Sequence, residues 1–221
     1  ENTKSQDYSE IRSKARPGHA DYTAFMKYHG FEDYRGGGHF SGRLTAPLCF
    51  AGAVCMQLLE DMGVEIQAHI QKIKNVYDDE IDFVNIGKWN TAEKEFPVIN
   101  DEKGKLMIAE IEKARENGDS VGGVIQCAVT GVKAGFGDPM FDGVENKLSK
   151  NIFGIPAVKG IEFGNGFSAT DLYGSENNDE FCTINGDIKT KTNNAGGING
   201  GITNGMPIIF RTAIKPTPSI F

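Results

Sequence analysis

The sequence is poor in the motifs that mark disulfide, metal and nucleotide-hydrolysing proteins. Its four cysteines and four histidines form no C-x-x-C pair and no set with metal-ligand spacing. The cysteines are therefore expected to be free thiols in a reducing compartment. A G-x-x-x-x-G-K-[ST] loop is also missing, which excludes a P-loop NTPase. No G-x-S-x-G elbow is present, so a Ser-His-Asp triad cannot be judged from the sequence.

The chain also lacks an excess of basic residues. It has 23 Lys and Arg against 30 Asp and Glu, a net charge of −7. Such a chain has no general attraction for nucleic acid or anionic membranes, so any anionic ligand must be bound by a few local arginines and lysines. We expect no signal peptide and no apolar run near the ~18 residues that span a bilayer. The expected location is the cytoplasm.

Hydrophobic periodicity predicts a mixed α and β chain. No linker divides it, so residues 1–221 are expected to form one domain. The segment 65–97 fits both helical and strand periods and stays unassigned. The predicted helices are 47–62, 105–117 and 141–151, and the predicted strands are 121–130, 157–163 and 206–214.

Residues 164–169 match the loose dinucleotide-binding pattern G-x-G-x-x-A. A dinucleotide site needs a helix directly after this pattern, with its N-terminus at the pyrophosphate. The residues that follow are acidic and typical of a loop. We therefore expect no Rossmann site here.

Residues 16–21 place an arginine, a histidine and a carboxylate around a Pro-Gly turn. His19 has a side chain that exchanges protons near neutral pH. The planar guanidinium of Arg16 can donate two parallel hydrogen bonds to a carboxylate or phosphate. The alternative is a surface turn with an incidental histidine. His29 and His69 are expected to be structural.

Arg35 and Arg43 flank a triple glycine. Successive glycine N–H groups can face an anion, and His39 and Phe40 could stack on a flat ring. The alternative is a flexible hairpin loop.

Two later segments also suggest ligand contacts. Residues 193–205 are rich in glycine and asparagine, but Ile198 and Ile202 interrupt them, which indicates an ordered, tightly packed loop rather than a linker. Residues 215–220 combine one ammonium, two hydroxyls and rigidifying prolines, which would suit a phosphate. A proline-rich tail is the alternative.

Taken in order along the chain, short blocks of this sequence resemble the chorismate synthase family. The match depends on the order of the blocks, because each block alone is weak. The blocks are residues 16–23, 34–38, 118–123, 135–142, 157–162, 196–205 and 215–220.

The resemblance implies a fold, a reaction and a cofactor. The fold would be α+β, a β-α-β sandwich with helices packed between antiparallel sheets. The reaction would convert 5-enolpyruvylshikimate 3-phosphate to chorismate, in the shikimate pathway of aromatic amino acid biosynthesis. This anti-1,4-elimination of phosphate and a ring proton uses reduced FMN without net redox change. The family is also associated with NADP, with flavin reductase activity in some members, and with a homotetramer.

The resemblance also assigns roles to residues. His19 would be catalytic, acting at the flavin, and Arg16, Arg35 and Arg43 would bind the substrate's phosphate and carboxylates. The positions implied to contact FMN are His39, Phe40, Ser41, Pro156, Ala157, Gly200, Lys215, Pro216, Thr217, Pro218 and Ser219.

The sequence departs from the family pattern in three places. Many relatives read R-S-S-A-R-E-T after the triple glycine, whereas this chain reads H-F-S-G-R-L-T. Contacts at His39 and Phe40 are therefore expected through backbone or stacking. The family's G-E-S-H-G and R-H-D-P blocks, with a second histidine and an aspartate, are missing. We therefore expect a central portion of the family domain, either part of an active enzyme or a flavin- and phosphate-binding scaffold without turnover.

Overall fold

A computed structural model describes residues 14–220 of the chain. The strands of this part are β1 (Glu65–Ile73), β2 (Val76–Tyr77), β3 (Gly123–Thr130), β4 (Val158–Phe163), β5 (Phe181–Ile184), β6 (Asp187–Thr190), β7 (Ile198–Asn199), β8 (Ile202–Thr203) and β9 (Ile208–Ile214). The main sheet has five strands in the order β2-β1-β3-β9-β4, and every neighbouring pair is antiparallel. β5 pairs with β6 and β7 with β8 in separate two-stranded ribbons.

The α-helices of the described chain are α1 (Asp21–Tyr28), α2 (Thr45–Asp61), α3 (Asp101–Glu116), α4 (Val144–Ile152) and α5 (Gly174–Asn177). The predicted helix at 105–117 begins four residues earlier than expected. Its start is fixed by the Asn100 side chain, which accepts hydrogen bonds from Glu102 N at 3.0 Å and Lys103 N at 3.3 Å. The predicted helix at 141–151 is a 3₁₀ turn, Met140–Asp142, followed by α4.

The three predicted strands are confirmed as β3, β4 and β9, and the unassigned segment contributes β1 and β2. No long helix follows residues 164–169, where a 3₁₀ helix (Gly166–Asp171) precedes the single turn of α5. This outcome agrees with the rejection of a dinucleotide site. Helix α1 and the β5–β6 hairpin were missing from the prediction.

The main sheet buries side chains on both faces, because successive residues of a strand point to opposite sides. Cys127 and Phe210 face α4, which packs Val144 and Leu148 against that side. On the other face Ile209 packs against the residues 78–100, with Trp89 as the largest contact. The sheet is therefore the common core of the described chain.

Residues 78–100 have little regular structure, but polar contacts hold them on the sheet. His69 on β1 is 1% exposed, and its Nδ1 lies 2.8 Å from Asp78 Oδ2. Its Nε2 lies 2.9 Å from Gln126 Oε1 on β3. Asp78 also accepts hydrogen bonds from Ile99 N at 2.6 Å and Asn100 N at 3.0 Å. The prediction that His69 is structural fits this buried network.

The same contacts set the ionisation of Asp78. Burial by itself would raise the pKa of Asp78. The hydrogen bonds from Ile99, Asn100 and His69 outweigh burial and hold the pKa below its usual value. The carboxylate is therefore ionised at neutral pH.

Helix α2 has almost no cover in the described chain. Thr45, Gly52 and Leu59 are partly buried at seven-residue spacing, whereas the other α2 side chains are exposed, with Phe50 at 75%. By length and composition alone, the helical run Gly42–Asp61 could cross a membrane, with a mean hydropathy of 1.3. The expectation that no run approaches that length is therefore wrong. A helix that is apolar on all sides is typical of a protein interior or a membrane.

We predict that Asp78→Ala lowers the free energy of unfolding by about 3 kcal/mol or more, because it leaves the buried His69 and two partly buried N–H groups without an acceptor. Chemical denaturation at pH 7 measures the loss, and the exposed neighbour Glu80→Ala is the control. The folded-state pKa of Asp78 is depressed, so the wild-type stabilisation is lost as the pH falls below about 4. Equal stability of the two variants would contradict the assigned role.

Candidate functional site

The predicted turn at residues 16–21 is closed by an ion pair. Asp21 accepts hydrogen bonds from Arg16 Nε at 2.8 Å, Nη2 at 2.9 Å and backbone N at 3.0 Å. The side-chain hydrogen bonds from Arg16 are the largest cause that lowers the pKa of Asp21, to about 2. His19 lies inside this turn and is partly buried.

Residues 215–219, which follow β9, lie directly against this turn. A Cβ placed on Gly18, whose φ is +71°, would stand 2.8 Å from the Cβ of Pro218. Glycine is therefore required at position 18 by both backbone conformation and space. The Oγ of Ser219 lies 3.3 Å from Nε2 of His19. Two segments about 200 positions apart in sequence thus form one surface.

The 215–219 segment is attached to two strands of the main sheet. Lys215 N donates to Ala157 O at 2.9 Å, just before β4. The Ser120 hydroxyl donates to Thr217 O at 2.6 Å, just before β3. These bonds fix the segment as it leaves β9.

Gly122 allows the closest approach in this attachment. A Cβ at this position would lie 2.6 Å from Ile214 O and 3.0 Å from Pro216 Cδ. Both neighbours belong to the backbone or to a proline ring, so neither can move aside easily. Within the block at 118–123, Gly122 therefore has a packing reason.

The electrostatic environment keeps His19 neutral at pH 7. Desolvation lowers the pKa of His19 most, the positive charges of Arg16 and Lys215 lower it further, and Asp21 opposes them. A neutral imidazole can accept a proton or a hydrogen bond at a ring nitrogen. The Ser219 hydroxyl lies beside it, and the same segment carries the Lys215 ammonium and the Thr217 hydroxyl.

The other predicted flavin positions divide into two groups. Pro156 and Ala157 come close to the 215–219 segment through the bond between Ala157 O and Lys215 N. Gly200 lies in the turn between β7 and β8, before the start of β9, whereas Lys215 follows its end. Within the described residues, no hydrogen bond joins Gly200 to the 215–219 segment.

The ordered loop predicted at 193–205 is confirmed. Ile198 is 4% exposed, and Thr203 Oγ donates to Lys133 O at 2.7 Å. A Cβ at Gly201 would stand 2.5 Å from Asp138 O. The glycines of this loop therefore permit close packing of backbone.

The triple-glycine segment forms a 3₁₀ helix, Arg35–Phe40, and not the flexible hairpin loop that was the alternative. Arg35 Nε donates to Asp33 Oδ1 at 2.8 Å, and Ser41 Oγ accepts from Arg43 N at 3.3 Å. The hydrogen bonds described for Arg35, Ser41 and Arg43 thus stay inside residues 33–45. His39, Phe40 and Arg43 are exposed.

Two residues of the site were not assigned a role from sequence. Ser120 and Asp21 lie in blocks that carry the family resemblance, but the sequence alone gives them no role. A serine near a glycine pair has no distinctive spacing, so Ser120 could not have been found. Asp21 could have been noticed as an acidic residue at a helix start, had α1 been predicted.

We predict that Gly122→Ala lowers the free energy of unfolding by about 1–3 kcal/mol, because the added methyl displaces the exit of β9. Gly174→Ala is the control, since a Cβ there meets nothing within 4 Å. Chemical denaturation of both variants measures the difference. Equal stabilities would show that the packing at Gly122 is loose.

Comparison with known proteins places this geometry in one family. The family model for chorismate synthase matches residues 1–221. A chorismate synthase from Dehalococcoides mccartyi is 47% identical over 219 residues, which cover 99% of this chain and 60% of the relative. A chorismate synthase from Korarchaeum cryptofilum is 47% identical over 223 residues, covering 100% of this chain and 61% of the relative. This chain thus spans about 60% of the length of the curated relatives it matches.

A crystal structure of chorismate synthase superposes with a TM-score of 0.81 at 30% sequence identity. The superposition covers 90% of this chain and 64% of that chain. The α+β fold with antiparallel sheets is therefore that of chorismate synthase. Together with the family match over residues 1–221, this likeness settles the classification. The chain belongs to the chorismate synthase family.

Proposed function

We propose that this chain supplies the flavin- and substrate-binding body of a chorismate synthase. The protein would convert 5-enolpyruvylshikimate 3-phosphate to chorismate by anti-1,4-elimination of phosphate and a ring proton. The observation that carries the proposal is the contact between His19 and Ser219, at 3.3 Å. It joins the proposed catalytic residue to the proposed flavin segment.

The residues of the 215–219 segment fit an FMN phosphate. Lys215 provides a positive charge, and the exposed Thr217 and Ser219 provide hydroxyl donors beside it. Pro216 and Pro218 keep the segment rigid, so little conformational entropy is lost on binding. We propose the same cofactor role for Pro156, Ala157, Gly200, His39, Phe40 and Ser41. When bound, reduced FMN supplies transient electron donation without net redox change.

We propose that Arg16, Arg35 and Arg43 bind the anionic groups of the substrate. The chain has a net charge of −7, so a ligand with a phosphate and two carboxylates needs local cations. Arg16 and Arg35 are each held by an aspartate, which fixes the direction of the guanidinium. Arg43 is exposed and available to a ligand.

We propose that His19 acts as a proton-handling group next to the flavin. The imidazole is neutral in the free protein, because the lowered pKa of His19 lies below neutral pH. The Ser219 hydroxyl lies within hydrogen-bonding distance of Nε2 and so restricts the ring orientation. His19 can then accept a proton or share one with a bound anion.

The finer points of architecture are also proposals. The exposed apolar surface of α2 supports the β-α-β sandwich, in which a second antiparallel sheet would cover this helix. We also propose that residues 1–221 form a single domain, that the protein is a cytoplasmic homotetramer, and that its activity is linked to NADP. Family membership alone supports the tetramer, the location and the link to NADP.

A second candidate function is a flavin- and phosphate-binding body without turnover. It is favoured by one fact, that the chain spans about 60% of its relatives. Anaerobic incubation with chemically reduced FMN and 5-enolpyruvylshikimate 3-phosphate separates the two. Chorismate formation supports the enzyme, and bound flavin without product supports the second candidate.

We predict that Lys215→Ala weakens binding of reduced FMN about tenfold or more, because one charge-assisted contact to the phosphate is lost. Anaerobic fluorescence or calorimetric titration measures the Kd. Lys150→Ala on α4, an exposed lysine outside the proposed site, is the control. An unchanged affinity would remove Lys215 from the flavin site.

We predict that His19→Ala lowers turnover by about 10²–10⁴-fold, as expected for loss of a positioned acid–base group. The assay is anaerobic chorismate formation with reduced FMN. His29→Asn is the matched control, since His29 ends α1 with φ 54°, a conformation that asparagine tolerates. Near-wild-type turnover of His19→Ala would exclude His19 from the reaction.

A further inference from the structure

Asp21 occupies the point where the histidine turn meets helix α1. Its carboxylate accepts three hydrogen bonds from Arg16, which lies five positions earlier. These bonds close the chain into a loop that contains His19. Asp21 is also the first residue of α1, where the helix dipole favours a negative charge. The shape of the loop therefore depends strongly on this side chain.

The charges that face His19 come from three elements. Arg16 belongs to the turn, Asp21 to α1 and Lys215 to the segment after β9, and all three act on the imidazole. Desolvation is the largest influence and lowers the pKa of His19, and the two cations act in the same direction. Asp21 is the acidic group that opposes them, and its own pKa of about 2 keeps it ionised.

We infer that Asp21 is a positioning residue for His19. Its carboxylate holds Arg16 in the closed turn, fixes the imidazole against the 215–219 segment and offsets the positive charge of Arg16. This inference rests on the function proposed above for His19. It concerns the free protein, however, so its test does not require a bound ligand.

A carboxylate that only stabilised the start of a helix would have a different effect on His19. It would stabilise α1 without controlling the state of His19. Asp33 provides the comparison within the same chain, since it accepts hydrogen bonds from Arg35 N, Nε and Nη2 at 3.1, 2.8 and 3.2 Å. It makes the same type of clamp on a different turn, and it is not among the groups that act on His19.

The experiment is a histidine NMR titration of the 221-residue chain without flavin, with the His19 signals assigned through His19→Gln. The titration midpoint of His19 is expected to fall in Asp21→Asn, because the opposing negative charge is gone. It is expected to rise in Arg16→Gln, because a cation is removed. Asp21→Glu keeps the charge and should stay nearer to wild type than Asp21→Asn, and Asp33→Asn should leave the His19 midpoint unchanged.

A turnover assay adds a second readout. In Asp21→Asn, kcat should fall about 10- to 100-fold because the imidazole is misplaced, and KM should rise as well because Arg16 is no longer held in its direction. Asp21→Glu should recover part of the loss.

The outcomes separate this inference from the proposed function. An unchanged His19 midpoint in both Asp21→Asn and Arg16→Gln would overturn the inference, even if the chain binds reduced FMN normally. Suppose instead that the His19 midpoint falls in Asp21→Asn and rises in Arg16→Gln in a chain that binds no reduced FMN. That result would refute the proposed function and support the inference. If Asp21→Asn does not fold, nuclear Overhauser contacts between the His19 ring and Ser219 decide the question in Arg16→Gln, which removes the partner of Asp21. Their loss would support the clamp, and their retention would overturn the inference.

Discussion

The contact between residues 215–219 and the turn at 16–21 is the interaction on which the candidate site depends. It brings together segments that are about 200 positions apart, and Gly18 makes it possible by leaving room for Pro218. The main sheet positions this contact, because β9 leads directly into residues 215–219 and the Ser120 hydroxyl donates to Thr217 O. Without this contact, His19 would lie on a surface turn with no other segment packed against it.

Local charge matters more here than the charge of the whole chain. The protein is acidic overall, yet Arg16 and Lys215 both act on His19. Asp21 offsets part of this positive charge while it orders Arg16. A site built in this way keeps its histidine neutral and leaves a cation for an anionic ligand. The buried pair of His69 and Asp78 serves stability instead, since it joins an irregular segment to the sheet.

Local patterns predicted much of the fold and little of the site's geometry. The β-branched strands and the apolar α2 were correctly predicted. The β5–β6 hairpin was missed, although the Asn185–Gly186 dipeptide at its turn is a strong turn signal. The path of residues 78–100 could not be predicted, because contacts to distant strands hold it in place. The motifs at His19 and 215–219 were visible, but their contact depends on the assembled sheet. Their assigned roles remain predictions.

The most direct test of this account is to locate the flavin on the chain. Backbone NMR spectra of the 221-residue protein would be recorded anaerobically during titration with reduced FMN. If the proposed site binds the flavin, the amide signals of Lys215, Thr217, Ser219 and His19 shift together and saturate with one Kd. Shifts confined to residues 164–171, with the 215–219 segment and His19 unaffected, would contradict it.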